Sequence, residues 1–362
     1  TRATRPTALT HKSCYRASFS RDIQVYRAQH GVQLCADSRE VLKAFPEASV
    51  DLLVTSPPFA LLRQKAYGNE DQAEYVAWLG DFGAAVHRVL KPTGSFVLDL
   101  GGAYQRGKPV RSLYNFRVLL DFCGRLGYYL AEEFFWYNPA KLPSPIEWVN
   151  KRKLRTKDAV NTVWWFSKTE QPKADVTRVL VPYSDRMKTL LKDPSKFYRP
   201  KERPSGHEIA KAFGRANWGA IPSNLLQIPN TDSNSHYLRA CKLLGQDSHP
   251  ARFPSELPEF FIRFLTEPGD LVVDIFSGSN TTGYVAEQLG RRWITIELDR
   301  GYAALSAVRF MEGQSETAIR SMFQDLRGGQ VLTLAPPVTK PKKTIPSEEE
   351  SAREASQARL FS

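Results

Sequence analysis

Asp51-Leu52-Leu53-Val54-Thr55-Ser56-Pro57-Pro58-Phe59 decides how this chain of 362 residues is read. Its first half is a short apolar run, and its second half stops any strand abruptly, because two successive prolines can neither donate to a ladder nor leave the preceding residue free. The run is read as a buried parallel strand with a rigid turn at its carboxyl end. The same grammar holds on both sides. Val25 to Cys35 reads as a short strand ending at Ala36-Asp37-Ser38, followed by an amphipathic helix through Val41, Leu42 and Phe45. Downstream, apolar residues at Val76, Leu79, Phe82, Val86 and Leu90 predict a helix from Glu74 to Leu90. Lys91-Pro92-Thr93-Gly94 then turns the chain into the strand Ser95 to Leu100. A helix from Leu113 to Leu126 and an aromatic strand from Glu133 to Tyr137 follow. Strands alternating with helices predict an α/β fold around a largely parallel sheet.

The alternation breaks at Lys141 and resumes after Gln246, with a helix from Pro258 to Leu265 and a strand from Leu271 to Phe276. A helix from Thr281 and a strand from Trp293 to Glu297 complete it. Within the break, Thr162-Val163-Trp164-Trp165-Phe166 is strand-like. Residues 1–23 are expected to be an N-terminal arm, 24–140 and 247–312 two halves of one domain, 141–246 an inserted module, and 313–362 a flexible tail.

The formal charge is +12, and residues 141–215 hold 18 Lys and Arg against 8 Asp and Glu. Basic character concentrated in one segment, including Lys151-Arg152-Lys153-Leu154-Arg155-Thr156-Lys157, suits a polyanion such as nucleic acid better than a uniformly solvated shell. Cys14, Cys35, Cys123 and Cys241 form no C-x-x-C pair, so neither a disulfide scaffold nor a zinc ribbon is expected, and no cluster suggests any other metal. No apolar run approaches the ~20 residues of a membrane span, and a cytoplasmic location is expected.

Asp274-Ile275-Phe276-Ser277-Gly278-Ser279-Asn280-Thr281 lies where a strand passes into a helix. Small residues there allow a ligand close to the backbone and to free helix amides. Glu297 ends the next strand, where a carboxylate can accept from ribose hydroxyls. Loop and acid together point to a nucleoside ligand; NAD and S-adenosylmethionine both carry the ribose.

Ser56-Pro57-Pro58-Phe59 separates them, because it matches the [DNS]-P-P-[FYW] signature of methyltransferases that act on exocyclic amines. An aryl amine is a poor nucleophile while its lone pair is delocalised, and two acceptors aimed at its N–H bonds free that pair. Ser56 Oγ and the Pro57 carbonyl are candidates, Pro58 keeps the turn rigid, and Phe59 is placed to stack on a base swung out of the duplex. Asp99, ending the neighbouring strand, is a candidate to orient Ser56 or take up charge as a proton leaves. No Cys follows a Pro, which argues against methylation at cytosine C5.

Over Asp51 to Trp165, much of the basic module (Arg203 to His207, Asn224 to Ile228) and His249 to Glu297 the chain resembles the β-group cytosine-N4 DNA methyltransferases. That resemblance implies a methyltransferase fold with a seven-stranded mixed sheet containing one antiparallel strand, flanked by helices. The motif order is circularly permuted, with the target-recognition region inserted between catalytic and cofactor motifs. It implies S-adenosylmethionine as cofactor, with Asp37 at the adenine amine and His249-Pro250-Ala251-Arg252-Phe253-Pro254 closing over the methionine part. It also puts Trp136 in the target-base region. The implied substrate is double-stranded DNA with CAGCTG as the target, methylated by a monomer that shares its site with a restriction endonuclease without a stable complex. Arg152, Lys153, Arg155, Lys157, Arg203 and His207 are the candidate DNA contacts. Adenine-N6 methylation and a non-catalytic DNA-binding regulator on the same fold are the alternatives. An NAD-dependent oxidoreductase leaves Ser-Pro-Pro-Phe and the basic module unexplained.

Overall fold

A computed structural model describes residues 19–59, 74–105, 107–193, 218–231 and 235–335. Ten strands join in one sheet: β1 (Gln24–Arg27), β2 (Gly31–Cys35), β3 (Val50–Thr55), β4 (Leu90–Leu100), β5 (Tyr129–Tyr137), β6 (Val160–Ser167), β7 (Leu225–Gln227), β8 (Leu271–Asp274), β9 (Arg292–Glu297) and β10 (Leu332–Thr333). Their spatial order is β10-β1-β2-β9-β8-β3-β4-β6-β5-β7. The helices are α1 (Ser38–Lys43), α2 (Tyr75–Val89), α3 (Tyr114–Gly124), α4 (Asp185–Lys192), α5 (His236–Leu243), α6 (Glu256–Leu265), α7 (Thr281–Gln288), α8 (Arg300–Ser306) and α9 (Glu316–Arg327).

Every residue of β3 is buried, as a strand covered on both faces requires. Successive side chains point to opposite faces. Leu52 and Val54 therefore join one core with Phe261, Ile262 and Leu265 of α6, while Leu53 joins the other with Leu79, Phe82 and Val86 of α2; Val50, before an irregularity in the ladder, joins that second core too. β3 is parallel to both β8 and β4. From β8 the chain runs through α7 to β9 on one side, and from β3 through α2 to β4 on the other. Connections diverging between two adjacent parallel strands leave a crevice at their carboxyl ends, where ligands of α/β sheets bind.

Four sequence expectations change. Among the described residues the sheet has ten strands rather than seven. The central seven, β2-β9-β8-β3-β4-β6-β5, do contain a single antiparallel strand, β6, while β1 and β10 add to one edge and β7 to the other. Val25 to Cys35 is not one strand but the antiparallel pair β1–β2, turned at residues 28–30. The module boundary at Lys141 cuts through the core, because β6 pairs with β4 and β5 along its length and buries Val163, Trp164, Trp165 and Phe166. Finally, the expected tail holds α9 and β10.

That last change has a simple cause. Ser315 caps α9 by accepting from the Ala318 amide, and Ile319, Met322, Phe323 and Leu326 recur at helical spacing and are buried in the first core. The chain then pairs β10 with β1. Replacing a buried Phe by Ala leaves a void as well as losing transfer energy, so Phe323→Ala is expected to destabilise the fold by about 3–5 kcal/mol in a denaturant titration. A stability within about 0.5 kcal/mol of wild type, the range of surface changes, would mean that α9 is not part of the core.

Candidate active site

A cavity of about 490 Å³ opens at the carboxyl ends of the strands. Its lining follows the sheet order: Asp37 and Glu297 beyond β2 and β9, Phe276, Ser277 and Ser279 beyond β8, Ser56 to Phe59 beyond β3, Asp99 at the end of β4, Asn161 on β6, and Trp136 and Asn138 from β5.

At the β3–β4 end, Ser56 Oγ donates to Asp99 Oδ2 at 3.0 Å, and Asn161 Nδ2 donates to Asp99 Oδ1 at 3.1 Å. Burial pushes the Asp99 carboxyl up to about 6, against the opposing pull of those two hydrogen bonds and the nearby Lys141 charge. A hydroxyl has one proton and two lone pairs, so a Ser56 that gives its proton to Asp99 has only acceptor capacity left for a ligand. Tyr75 Oη donates to the Pro58 carbonyl at 2.8 Å, tying the Ser-Pro-Pro turn to α2. The Phe59 ring lies over Gly101 so closely that a Cβ there would come within 2.5 Å of it. Trp136 Nε1 donates to the Ile228 carbonyl at 2.9 Å, which fixes its ring at the cavity wall.

The β8–β9 end is built on a buried carboxylate. Asp274 Oδ1 accepts from Thr55 Oγ1 at 2.6 Å and from the Phe276 amide at 3.1 Å, while Oδ2 accepts from Thr282 Oγ1 at 2.7 Å. Burial raises this carboxyl to about 6 as well. Glu297 accepts from the amides of Gly278 at 2.7 Å and Asp299 at 2.9 Å, and burial raises its carboxyl from the usual range. Those two bonds fix its side chain with lone pairs to spare. Arg309 donates to the carbonyl and hydroxyl of Ser279, at 2.6 and 2.9 Å, clamping the loop. The Phe276 ring packs on Phe82 and Trp78, with centroids 4.8 and 5.7 Å apart. Asp37 caps α1, and its hydrogen bonds to Arg39 lower its carboxyl from the usual range. His249 is buried, with Nδ1 donating to the Ala251 carbonyl at 2.6 Å.

Of the residues expected at the cofactor, Asp37, His249, Phe276, Ser279, Thr281 and Glu297 line the cavity. Asp274, Gly278, Asn280 and Pro254 do not. Asp274 lies behind the wall. Gly278 takes a left-handed φ of 50° against the His249 ring, where a Cβ would come within 2.8 Å. Asn280 is fully buried, capping α7 through the Gly283 amide and donating to Tyr26 Oη. Pro254 borders a separate depression with Gln227 and Glu256.

The expected DNA contacts lie on the excursion between β5 and β6. Arg152 pairs with Glu147 at 2.9 Å and lies over the Trp148 ring. Arg155 donates to the Pro109 and Leu154 carbonyls, and Lys157 to those of Pro139 and Lys141. Lys153 is exposed at a φ of 54°. Three of the four therefore also hold the excursion together. Arg203 and His207 lie outside the described residues. Among the described residues no three His, Cys, Asp or Glu side chains gather as metal ligands would, and no helix is long and apolar enough to cross a membrane.

Asn161, Lys141, Asn138 and Arg39 also line the cavity and were not singled out from sequence. The signal for Asn161 is an amide side chain near the start of an aromatic, β-branched strand.

Comparison with known proteins agrees with this architecture. A type II methyltransferase of Proteus hauseri, M.PvuII, is 59% identical over 310 residues, covering 85% of this chain and 92% of its own length. A solved PvuII DNA methyltransferase, described as cytosine-N4-specific, superposes with a TM-score of 0.71 at 51% identity, covering 86% of this chain and 97% of that one. The type II methyltransferase M.BglII of Bacillus subtilis is 26% identical over 281 residues, covering 77% of this chain and 68% of its own. The profile of a DNA methylase family matches residues 50–308, and with that span of catalytic strand, cavity and cofactor loop this chain belongs to the DNA methylase family.

Proposed function

We propose that this chain methylates N4 of a cytosine flipped out of duplex DNA, as a type II modification enzyme using S-adenosylmethionine. The observation that carries the reading is the Ser56–Asp99 hydrogen bond, which turns the Ser56 hydroxyl into a dedicated acceptor inside the cavity. The chain fits the cofactor in its donor set. Glu297 is held rigid with lone pairs free for ribose hydroxyls, Phe276 offers an aromatic wall, and a volume of about 490 Å³ suits a nucleoside-sized ligand and a base. When bound, S-adenosylmethionine supplies an electrophilic methyl group.

The protein's own part is orientation. Ser56 Oγ and the Pro57 carbonyl accept the two N–H bonds of the amine and draw the nitrogen lone pair out of conjugation, toward the methyl carbon. Pro58 and its bond from Tyr75 keep that turn from relaxing. Phe59 and Trp136 wall the base. The amine nitrogen would take the methyl group as the methyl–sulfur bond breaks with its electron pair left on sulfur; one amine proton would pass to Ser56 Oγ while the Ser56 proton moved to Asp99, neutral until it exchanges with water. Asp37, His249, Ser279 and Thr281 join Glu297 around the cofactor, whereas Asp274, Asn280 and Gly278 shape its loop from behind.

Ser in the first motif position and the 51% identical solved methyltransferase described as cytosine-N4-specific favour cytosine N4 over adenine N6. CAGCTG, the palindrome implied by the resemblance, is the proposed target, shared with a restriction endonuclease. Segment 141–246 apart from β6 is the proposed reading region. A monomer suffices, because replication leaves hemimethylated sites with one strand to modify.

Three outcomes test this. Duplex DNA treated with enzyme and S-adenosylmethionine, then digested to nucleosides for mass spectrometry, is expected to yield N4-methyldeoxycytidine, confined to CAGCTG. N6-methyldeoxyadenosine would overturn the reading of Ser56, and no modified base would favour a non-catalytic binder. Ser56→Ala removes one acceptor and is expected to lower the single-turnover rate by about 10²–10³-fold, while cofactor affinity measured by calorimetry is retained. Because the Asp99 carboxyl stands at about 6, the rate should fall as pH drops through about 6 and level off above it. Below that point a protonated Asp99 no longer compels Ser56 to donate. A flat profile from pH 5 to 8 would remove Asp99 from the chemistry.

A further inference from the structure

We infer that Asn161 is a positioning residue for methyl transfer: it fixes the second oxygen of Asp99 so that Ser56 is kept an acceptor toward the target amine. This rests on the reading of Ser56 and Asp99 given above.

The strand register brings Asn161 there. β4 and β6 pair Asp99 with Val163 and Leu100 with Thr162, so Asn161 is the next residue along β6, level with Gly101 just past the end of β4. β5 holds Asn161 from the other side, opposite Trp136. From this position the side chain reaches Asp99 Oδ1 at 3.1 Å, while Ser56 occupies Oδ2. Gly101 completes the arrangement. A Cβ there would come within 2.5 Å of the Phe59 ring and 3.1 Å of Asn161 Oδ1, so its missing side chain leaves the space that both occupy.

A carboxylate held by one donor can rotate or take a proton. Held at both oxygens, its plane is set, and each bond to the charged form favours that form. Ser56 from the end of β3, Asn161 from β6, and the Lys141 charge beyond β5 are the groups acting on Asp99 among the described residues. Of these, Asn161 is not part of the Ser-Pro-Pro-Phe turn and carries no charge for a phosphate. Its polar group has no use in strand pairing, which engages only the backbone. Three strands meet where it stands, and the acid it restrains is the one that sets the polarity of Ser56.

The test is single-turnover methyl transfer to duplex CAGCTG DNA between pH 5 and 8.5 with wild type, Asn161→Ala and Asn161→Asp, alongside cofactor affinity and thermal stability. Loss of the donor is expected to move the acid limb of Asn161→Ala up by about one pH unit while the alkaline plateau survives. The added carboxylate of Asn161→Asp is expected to move the limb further in the same direction. A uniform fall in rate with the limb unmoved would mean that Asn161 only packs the strand end, and unchanged kinetics would mean that it does nothing for Asp99. Either overturns the inference. If Asn161→Ala fails to fold, the isosteric Asn161→Asp decides alone, an unmoved limb refuting it. A folded wild type that methylates no DNA overturns the parent reading, and this inference with it.

Discussion

One buried carboxylate joins the two ends of the active site. Asp274 closes β8 and accepts from Thr55 at the end of β3, from Thr282 in α7 and from the Phe276 amide. The residue just before Ser56 and the residue that turns the cofactor loop are therefore fastened to the same side chain. A carboxyl so deeply buried leans toward its neutral form, as its rise to about 6 records. Its three donors offset that cost, and losing it would leave two hydroxyls and an amide facing a dry interior. The Ser-Pro-Pro turn and the small-residue loop are held to each other by this tie.

In the proposed reaction the second carboxylate, Asp99, works on polarity rather than on distance. Serine hydroxyls are ambivalent, and an ambivalent group facing an amine can present its proton to the lone pair that must attack. Giving that proton a buried acceptor removes the ambiguity. The rest of the cavity restrains in the same way. Tyr75 holds the Pro58 carbonyl, Arg309 holds Ser279, and backbone amides hold Glu297. Groups already oriented before a ligand arrives need no reorganisation during the reaction.

Much of this was legible in the sequence, for local reasons. The buried strand of Asp51 to Thr55, its proline stop, the small-residue loop at Ser277 to Ser279 and the acid at Glu297 each carry their signal within a few residues. What was missed depended on distant partners. Asn161 bonds to Asp99, 62 residues away, and Asp274, read as a cofactor residue, bonds to Thr55, 219 residues distant. β6 was assigned to the basic module because basic residues flank it, although its two tryptophans belong to the sheet. The β1–β2 turn lacks an Asn-Gly or Asp-Gly signal, so two strands read as one. In α9, helical spacing at Ile319, Met322, Phe323 and Leu326 was outweighed by the polar composition further on.

The permuted order also bears on how the chain reaches its fold. β3 emerges from the ribosome before β8, its neighbour at the centre of the sheet, which is synthesised more than two hundred residues later. Until then one edge of a strand that ends fully buried has no partner. Contacts of such long range close slowly, since loop entropy is lost before any pairing energy is gained. The catalytic strand thus waits, sticky and unpaired, for the cofactor strand that completes it. The same pairing that assembles the active site makes this a late-closing and aggregation-exposed folding route.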